Sequence, residues 1–85
     1  MKDVTIYTTN SCPYCFRAKA LLSKKGAKIN EIDVSYDRAE RSRMAALAGG
    51  RTSVPQIFIA DQHVGGCDDL HDLEDMGKLD RLLTA

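Results

Sequence analysis

The sequence predicts an α/β domain with the element order β-α-β-α-β-β-α, built on a four-stranded mixed sheet flanked by helices. Three observations carry this expectation. The β-branched and aromatic run Val4-Thr5-Ile6-Tyr7 is followed by a helix-like segment and a second apolar run, the pattern of a right-handed crossover between parallel strands. The short runs Gln56 to Ile59 and His63-Val64 are too closely spaced for a crossover and form an antiparallel hairpin. Gly-rich breaks at Gly49-Gly50 and Gly65-Gly66 separate these runs from the helical segments on either side.

Taken in order, residues 4–7 form the first strand, and Thr8-Thr9-Asn10-Ser11 is a polar loop leading to Cys12. From Pro13 to Lys25, Phe16, Ala20, Leu21 and Leu22 share one face while Arg17, Lys19, Lys24 and Lys25 stay solvated, and Gly26 stops the helix. Between Ala27 and Val34, the residues Ile29, Ile32 and Val34 slip in phase, so the second strand is expected either to be buried on both faces or to carry a bulge. Asp37 caps a second helix through Ala48. Its residues Arg38, Arg41 and Arg43 read as a solvated face that can also lend cations to a neighbouring groove. After the third strand, Asp61-Gln62 is the expected turn, and Asp68 or Asp69 the expected cap of a last helical segment through Leu73. Leu79, Leu82 and Leu83 supply a further amphipathic turn beyond Gly77.

The 85 residues suit a single domain, 1–85, with an adequate but small core. Formal charge is zero with both signs intermixed, so no electrostatic footprint for nucleic acid or an anionic membrane is present. Met1-Lys2-Asp3-Val4 enters a strand at once without an apolar leader, and no stretch approaches the roughly 20 apolar residues that span a bilayer. A cytoplasmic protein is expected. Three cysteines, an odd number, argue against a disulfide framework and for thiols used chemically in a reducing compartment.

Cys12-Pro13-Tyr14-Cys15 carries the chemistry. A thiol at the mouth of a helix faces unpaired backbone N–H groups and the positive end of the macrodipole, which lowers thiol pKa values from about 8.5 into the range of roughly 3.5–7.5. Pro13 suits the first helical position, where its missing N–H costs nothing and its φ is already helical. Cys15, one turn on, is close enough to close a disulfide, so the pair reads as a redox centre. The same spacing also ligates zinc, and Cys12 and Cys15 with His63 and Cys67 formally offer four ligands.

Two further segments bear on function. Ser53-Val54-Pro55-Gln56 places a proline at the start of a strand, where local sequence alone favours a trans bond. Gly65-Gly66-Cys67-Asp68-Asp69 joins a turn to a helix N-terminus, able to hold a carboxylate through backbone N–H groups while an Asp accepts from an ammonium. A zwitterionic amino-acid end satisfies both.

In this order and spacing, the CPYC, V-P-Q-I-F-I and G-G-C-D-D-L runs resemble a dithiol glutaredoxin over essentially the whole chain. The resemblance implies a thioredoxin-like fold and glutathione-dependent thiol–disulfide exchange. Glutathione would be reductant and co-substrate, and disulfide-containing or glutathionylated proteins the partners. By position, Cys12 would be the nucleophile and Cys15 the resolving thiol. Tyr14 would flank glutathione, and Val54, between Ser53 and a cis Pro55, would pair its backbone with the glutathione cysteinyl unit. Cys67 and Asp68, with Asp69 close by, would hold the γ-glutamyl end.

The family's frequent Lys three residues before the nucleophile is Thr9 here, so Arg43, Arg41 or Arg51 would have to supply positive charge; its Thr before Val-Pro is Ser53. A monomer without metal is expected, although a glutaredoxin-like chain can also hold an iron–sulfur cluster through Cys12 and external glutathione.

Overall fold

The computed structural model describes residues 1–84. Along the chain lie β1 (Val4–Thr8), α1 (Pro13–Lys24), β2 (Ile29–Asp33), α2 (Arg38–Leu47), β3 (Gln56–Ile59), β4 (Gln62–Gly65), α3 (Cys67–Asp75) and α4 (Leu79–Thr84). The strands form one sheet in the order β2-β1-β3-β4. β1 pairs in parallel with β2 and antiparallel with β3, and β3 pairs antiparallel with β4. This is the expected mixed sheet, with the turn after Gly77 formed as a separate helix.

Alternation along the two central strands divides the core. Val4 and Ile6 of β1 and Ile57 and Ile59 of β3 face a layer containing Ala18, Leu22, Cys67, Leu70, Leu79 and Leu83. Tyr7 and Phe58 face the opposite layer, against Val34, Met44 and Ala48. α1, α3 and α4 therefore cover one face and α2 the other. Each fully buried Leu or Ile contributes about 1.5–3 kcal/mol relative to an exposed one.

Four local expectations are corrected. The buried stripe of α1 is Cys15, Ala18 and Leu22, spaced i, i+3, i+7; Phe16 and Ala20 are exposed. The small Cys and Ala side chains let the helix approach the sheet closely, whereas Phe16 lies outside beneath the Lys19 ammonium, 5.0 Å from its ring centroid. β2 is neither bulged nor buried on both faces. It is an edge strand in unbroken register with β1, and its phase slip arises because Ile29 packs against one core layer and Ile32 against the other. The bulge lies instead in the hairpin, between Ile57 and Phe58. The hairpin turn is Ala60-Asp61, with Ile59 paired to Gln62 and Ala60 at φ 52°. A left-handed residue there is usually Gly or Asn, so Ala60 gave no signal.

The fourth correction concerns α3, whose cap is Gly66 rather than Asp68 or Asp69. Asp69 at the third helical position reaches back, its Oδ2 accepting from the Gly66 N–H at 2.9 Å. By contrast, Asp37 caps α2 as expected, accepting from the Glu40 N–H at 3.0 Å.

Candidate functional site

The loop after β1 delivers Cys12 as the cap of α1, in extended conformation, with Pro13 in the first turn. The Cys15 N–H donates to Cys12 Sγ at 3.2 Å, and the Cys12 thiol faces the Val54 carbonyl oxygen at 3.8 Å. Cys12 is partly exposed and Cys15 is buried; both are free thiols, as is Cys67. Burial, then the side-chain contact with Cys12, pushes the Cys15 thiol up to about 12, although the Thr9 backbone opposes this. The two sulfurs of one helical turn are thus chemically unequal.

A cavity of about 170 Å³ opens beside this pair, lined by Tyr14, Arg51, Ser53, Val54, Pro55, Gly66, Cys67, Asp68 and Asp69. Three segments distant in sequence build it: the first turn of α1, the stretch before β3, and the β4–α3 junction. The Val54-Pro55 peptide bond is cis, as the family resemblance implied and local sequence did not. Gly65, at φ 120°, turns the chain from β4 into α3; a Cβ there would overlap Asp69 Oδ2 and come within 2.9 Å of Arg51 Nη1. Arg51 Nη1 donates to Asp69 Oδ2 at 3.1 Å. The Gly66 N–H and then Arg51 hold the Asp69 carboxyl below the usual carboxylate range. Asp68 is exposed and has no such partner among the described residues.

All seven residues expected at the ligand groove, Tyr14, Ser53, Val54, Pro55, Cys67, Asp68 and Asp69, line this one cavity. Thr9 and Arg43 do not. The Thr9 backbone contacts the Cys15 thiol instead, and Arg43 is on the exposed face of α2, 4.0 Å from Glu40. Arg41 donates to the Thr52 carbonyl at 2.9 Å. Of the three arginines offered as a source of positive charge, Arg51 lines the groove and Arg41 and Arg43 do not. Arg17 adds a second positive charge over the Tyr14 ring, 5.9 Å from the centroid.

Cys67 begins α3 with its sulfur 3.5 Å from His71 Nδ1, and burial pushes its thiol up. His63 Nε2 is engaged by Gln56 Oε1 at 2.7 Å. Cys12, Cys15, His63 and Cys67 are not brought together as a four-ligand set, and no group of three or more metal-capable side chains gathers among the described residues. Nor is any described helix long and apolar enough to cross a membrane.

A cysteine pair at a helix mouth beside a cis-proline groove has counterparts among known proteins. The glutaredoxin family model matches residues 4–64. The chain belongs to the glutaredoxin family. It is 55% identical to a glutaredoxin of Pseudomonas aeruginosa over 85 residues, covering 100% of both chains. The solution structure of glutaredoxin from Brucella melitensis superposes with a TM-score of 0.85 at 60% identity, covering 98% of this chain and 89% of that one. A crystal structure of a buckwheat glutaredoxin–glutathione complex gives a TM-score of 0.85 at 32% identity, over 98% and 77% of the two chains. The fold is thus thioredoxin-like, and this glutaredoxin is a thiol–disulfide oxidoreductase.

Proposed function

We propose that this glutaredoxin reduces protein–glutathione mixed disulfides and protein disulfides with glutathione as its reductant. The cavity beside Cys12 carries this reading, because it offers peptide-like and zwitterion-binding groups together at one thiol. The Val54 backbone suits the cysteinyl unit of glutathione, flanked by Tyr14, Ser53 and Pro55. The N–H groups at the start of α3 suit the γ-glutamyl carboxylate. Asp68, exposed at the start of α3, suits its ammonium, while Cys67 and Asp69 shape the turn and Arg51 supplies positive charge. A relative crystallised with glutathione supports the assignment.

In the monothiol route, the Cys12 thiolate attacks the glutathionyl sulfur of a mixed disulfide. The substrate thiolate leaves and takes up a proton, and Cys12 is left joined to glutathione. A second glutathione thiolate attacks the glutathionyl sulfur, releasing glutathione disulfide and regenerating Cys12. In the dithiol route, Cys12 attacks a protein disulfide and Cys15 displaces the substrate, giving a Cys12–Cys15 disulfide that two glutathiones reduce. Glutaredoxin potentials of roughly −200 to −230 mV lie at or just above a glutathione poise of about −220 to −260 mV, so either cycle runs without a large barrier of potential. The working form in this reading is a monomeric single domain in a reducing cytoplasm, with neither nucleic acid nor membrane as partner.

The test separates the sulfurs. With a glutathionylated peptide and glutathione, Cys12→Ser abolishes turnover, whereas Cys15→Ser retains deglutathionylation and loses reduction of a protein disulfide. Full deglutathionylation by Cys12→Ser would sink the assignment.

A further inference from the structure

We propose that His63 and Gln56 are positioning residues that hold the Ser53-Val54-Pro55 segment in its binding geometry, with His63 donating from Nε2. The inference rests on the glutathione reading above and concerns two residues that reading leaves unused.

Gln56 opens β3 and is fully buried, so its amide must find partners inside the protein. Its Nε2 lies 3.0 Å from the Ser53 carbonyl oxygen and 3.3 Å from Ser53 Oγ. A carbonyl only accepts, which fixes the amide nitrogen towards Ser53 and turns the amide oxygen to the other side. There Gln56 Oε1 meets His63 Nε2 at 2.7 Å. The amide oxygen also only accepts, so His63 Nε2 must carry hydrogen. The Phe58 ring, with centroids 5.0 Å apart, seats the imidazole. A directed chain of hydrogen bonds therefore runs from β4 across β3 to Ser53, next to the Val54 carbonyl that faces Cys12. Ser53 and Val54 both line the cavity, whereas His63 and Gln56 do not. They act on it only through Ser53.

The test compares His63→Leu, which removes the donor, with His63→Gln, which keeps an N–H at a similar reach. Each is assayed on a glutathionylated peptide at saturating glutathione. His63→Leu raises KM for the peptide roughly five- to tenfold, as expected for a buried acceptor left unmade, with kcat within about twofold. His63→Gln restores KM to near the wild-type value. An unchanged KM in His63→Leu, or equal defects in the two variants, would overturn the proposal. Should the variants not fold, the ¹⁵N chemical shifts of His63 in the wild-type protein decide: hydrogen on Nε2 supports the chain, and an Nε2 without hydrogen overturns it. Failure of the underlying reading is seen separately, as a wild-type protein inactive on the peptide.

Discussion

Cys12 and Cys15 occupy one turn of the same helix, yet one is partly exposed with a backbone donor at its sulfur and the other is buried with its thiol pushed up to about 12. That difference has a consequence for stability. The folded protein keeps a Cys15 proton that the unfolded chain gives up near pH 8.5, so the stabilisation is complete below that pH and is lost as pH rises towards the folded-state value. The buried Cys67 thiol acts in the same direction. Urea unfolding of the reduced protein should show stability falling as pH rises above about 8.5, and Cys15→Ser should flatten the fall; an identical slope in the variant would refute the burial argument. The two carboxylates of the groove divide in a similar way. Asp69 is tied to Gly66 and Arg51, and Asp68 has no such partner among the described residues. Asp68→Ala should weaken turnover of a glutathionylated substrate by about 1.5–3 kcal/mol in kcat/KM, the worth of a charge-assisted hydrogen bond. A disulfide substrate without a γ-glutamyl group should be nearly unaffected, and equal losses on both would remove Asp68 from the proposed clamp.

The β4–α3 junction is the element that turns these residues into a groove, because Gly65 at φ 120° leaves no room for a side chain beside Asp69 and Arg51. Gly65→Ala should cost roughly 1–3 kcal/mol of stability through backbone strain and displacement of the Asp69 carboxylate from the Gly66 N–H. It should also raise KM for the glutathionylated substrate, as thermal melts and steady-state kinetics would show; wild-type values for both would mean that the junction tolerates a Cβ. The sequence made some elements plain and hid others for physical reasons. β1, the Asp37 cap and the Gln56–Ile59 strand were legible because propensity, capping chemistry and periodicity agree there. The β2 edge and the α1 stripe were not. Ile29 and Ile32 serve opposite layers, and α1 is anchored by the small Cys15 and Ala18 rather than the larger Phe16. The Gly66 cap was hidden too, because Asp69 satisfies it from within the helix. At the site, Cys12 and the groove residues were legible from motif order. The choice of Arg51 over Arg41 and Arg43, and the Gln56–His63 bond, depend on long-range packing that no local pattern records.

Across the whole molecule, chemistry and stability are placed at opposite ends of the sheet. β1 runs from Val4 towards Cys12, and β3 runs back from Gln56 to Ile59, so the cavity lies beyond the Tyr7–Gln56 end. At the other end α4 closes the core. Leu79 and Leu83 are buried, the Lys2 N–H donates to the Leu83 carbonyl at 2.7 Å, and Lys25 bridges Glu74 at 2.8 Å and Asp80 at 2.9 Å, joining α1 to α3 and α4. Strands of four or five residues at about 3.3 Å per residue separate the two ends by roughly 15 Å, beyond the range at which substitutions usually couple. Leu83→Ala should therefore cost about 2–5 kcal/mol of stability by leaving a cavity, a large share of the total of a chain this short. Assayed at a temperature where the variant remains folded, kcat and KM for a glutathionylated peptide should stay within about twofold of wild type. A selective rise in KM would show instead that α4 packing is transmitted through β1 and β3 to the Val54 segment, and that the two ends of this sheet do not act independently.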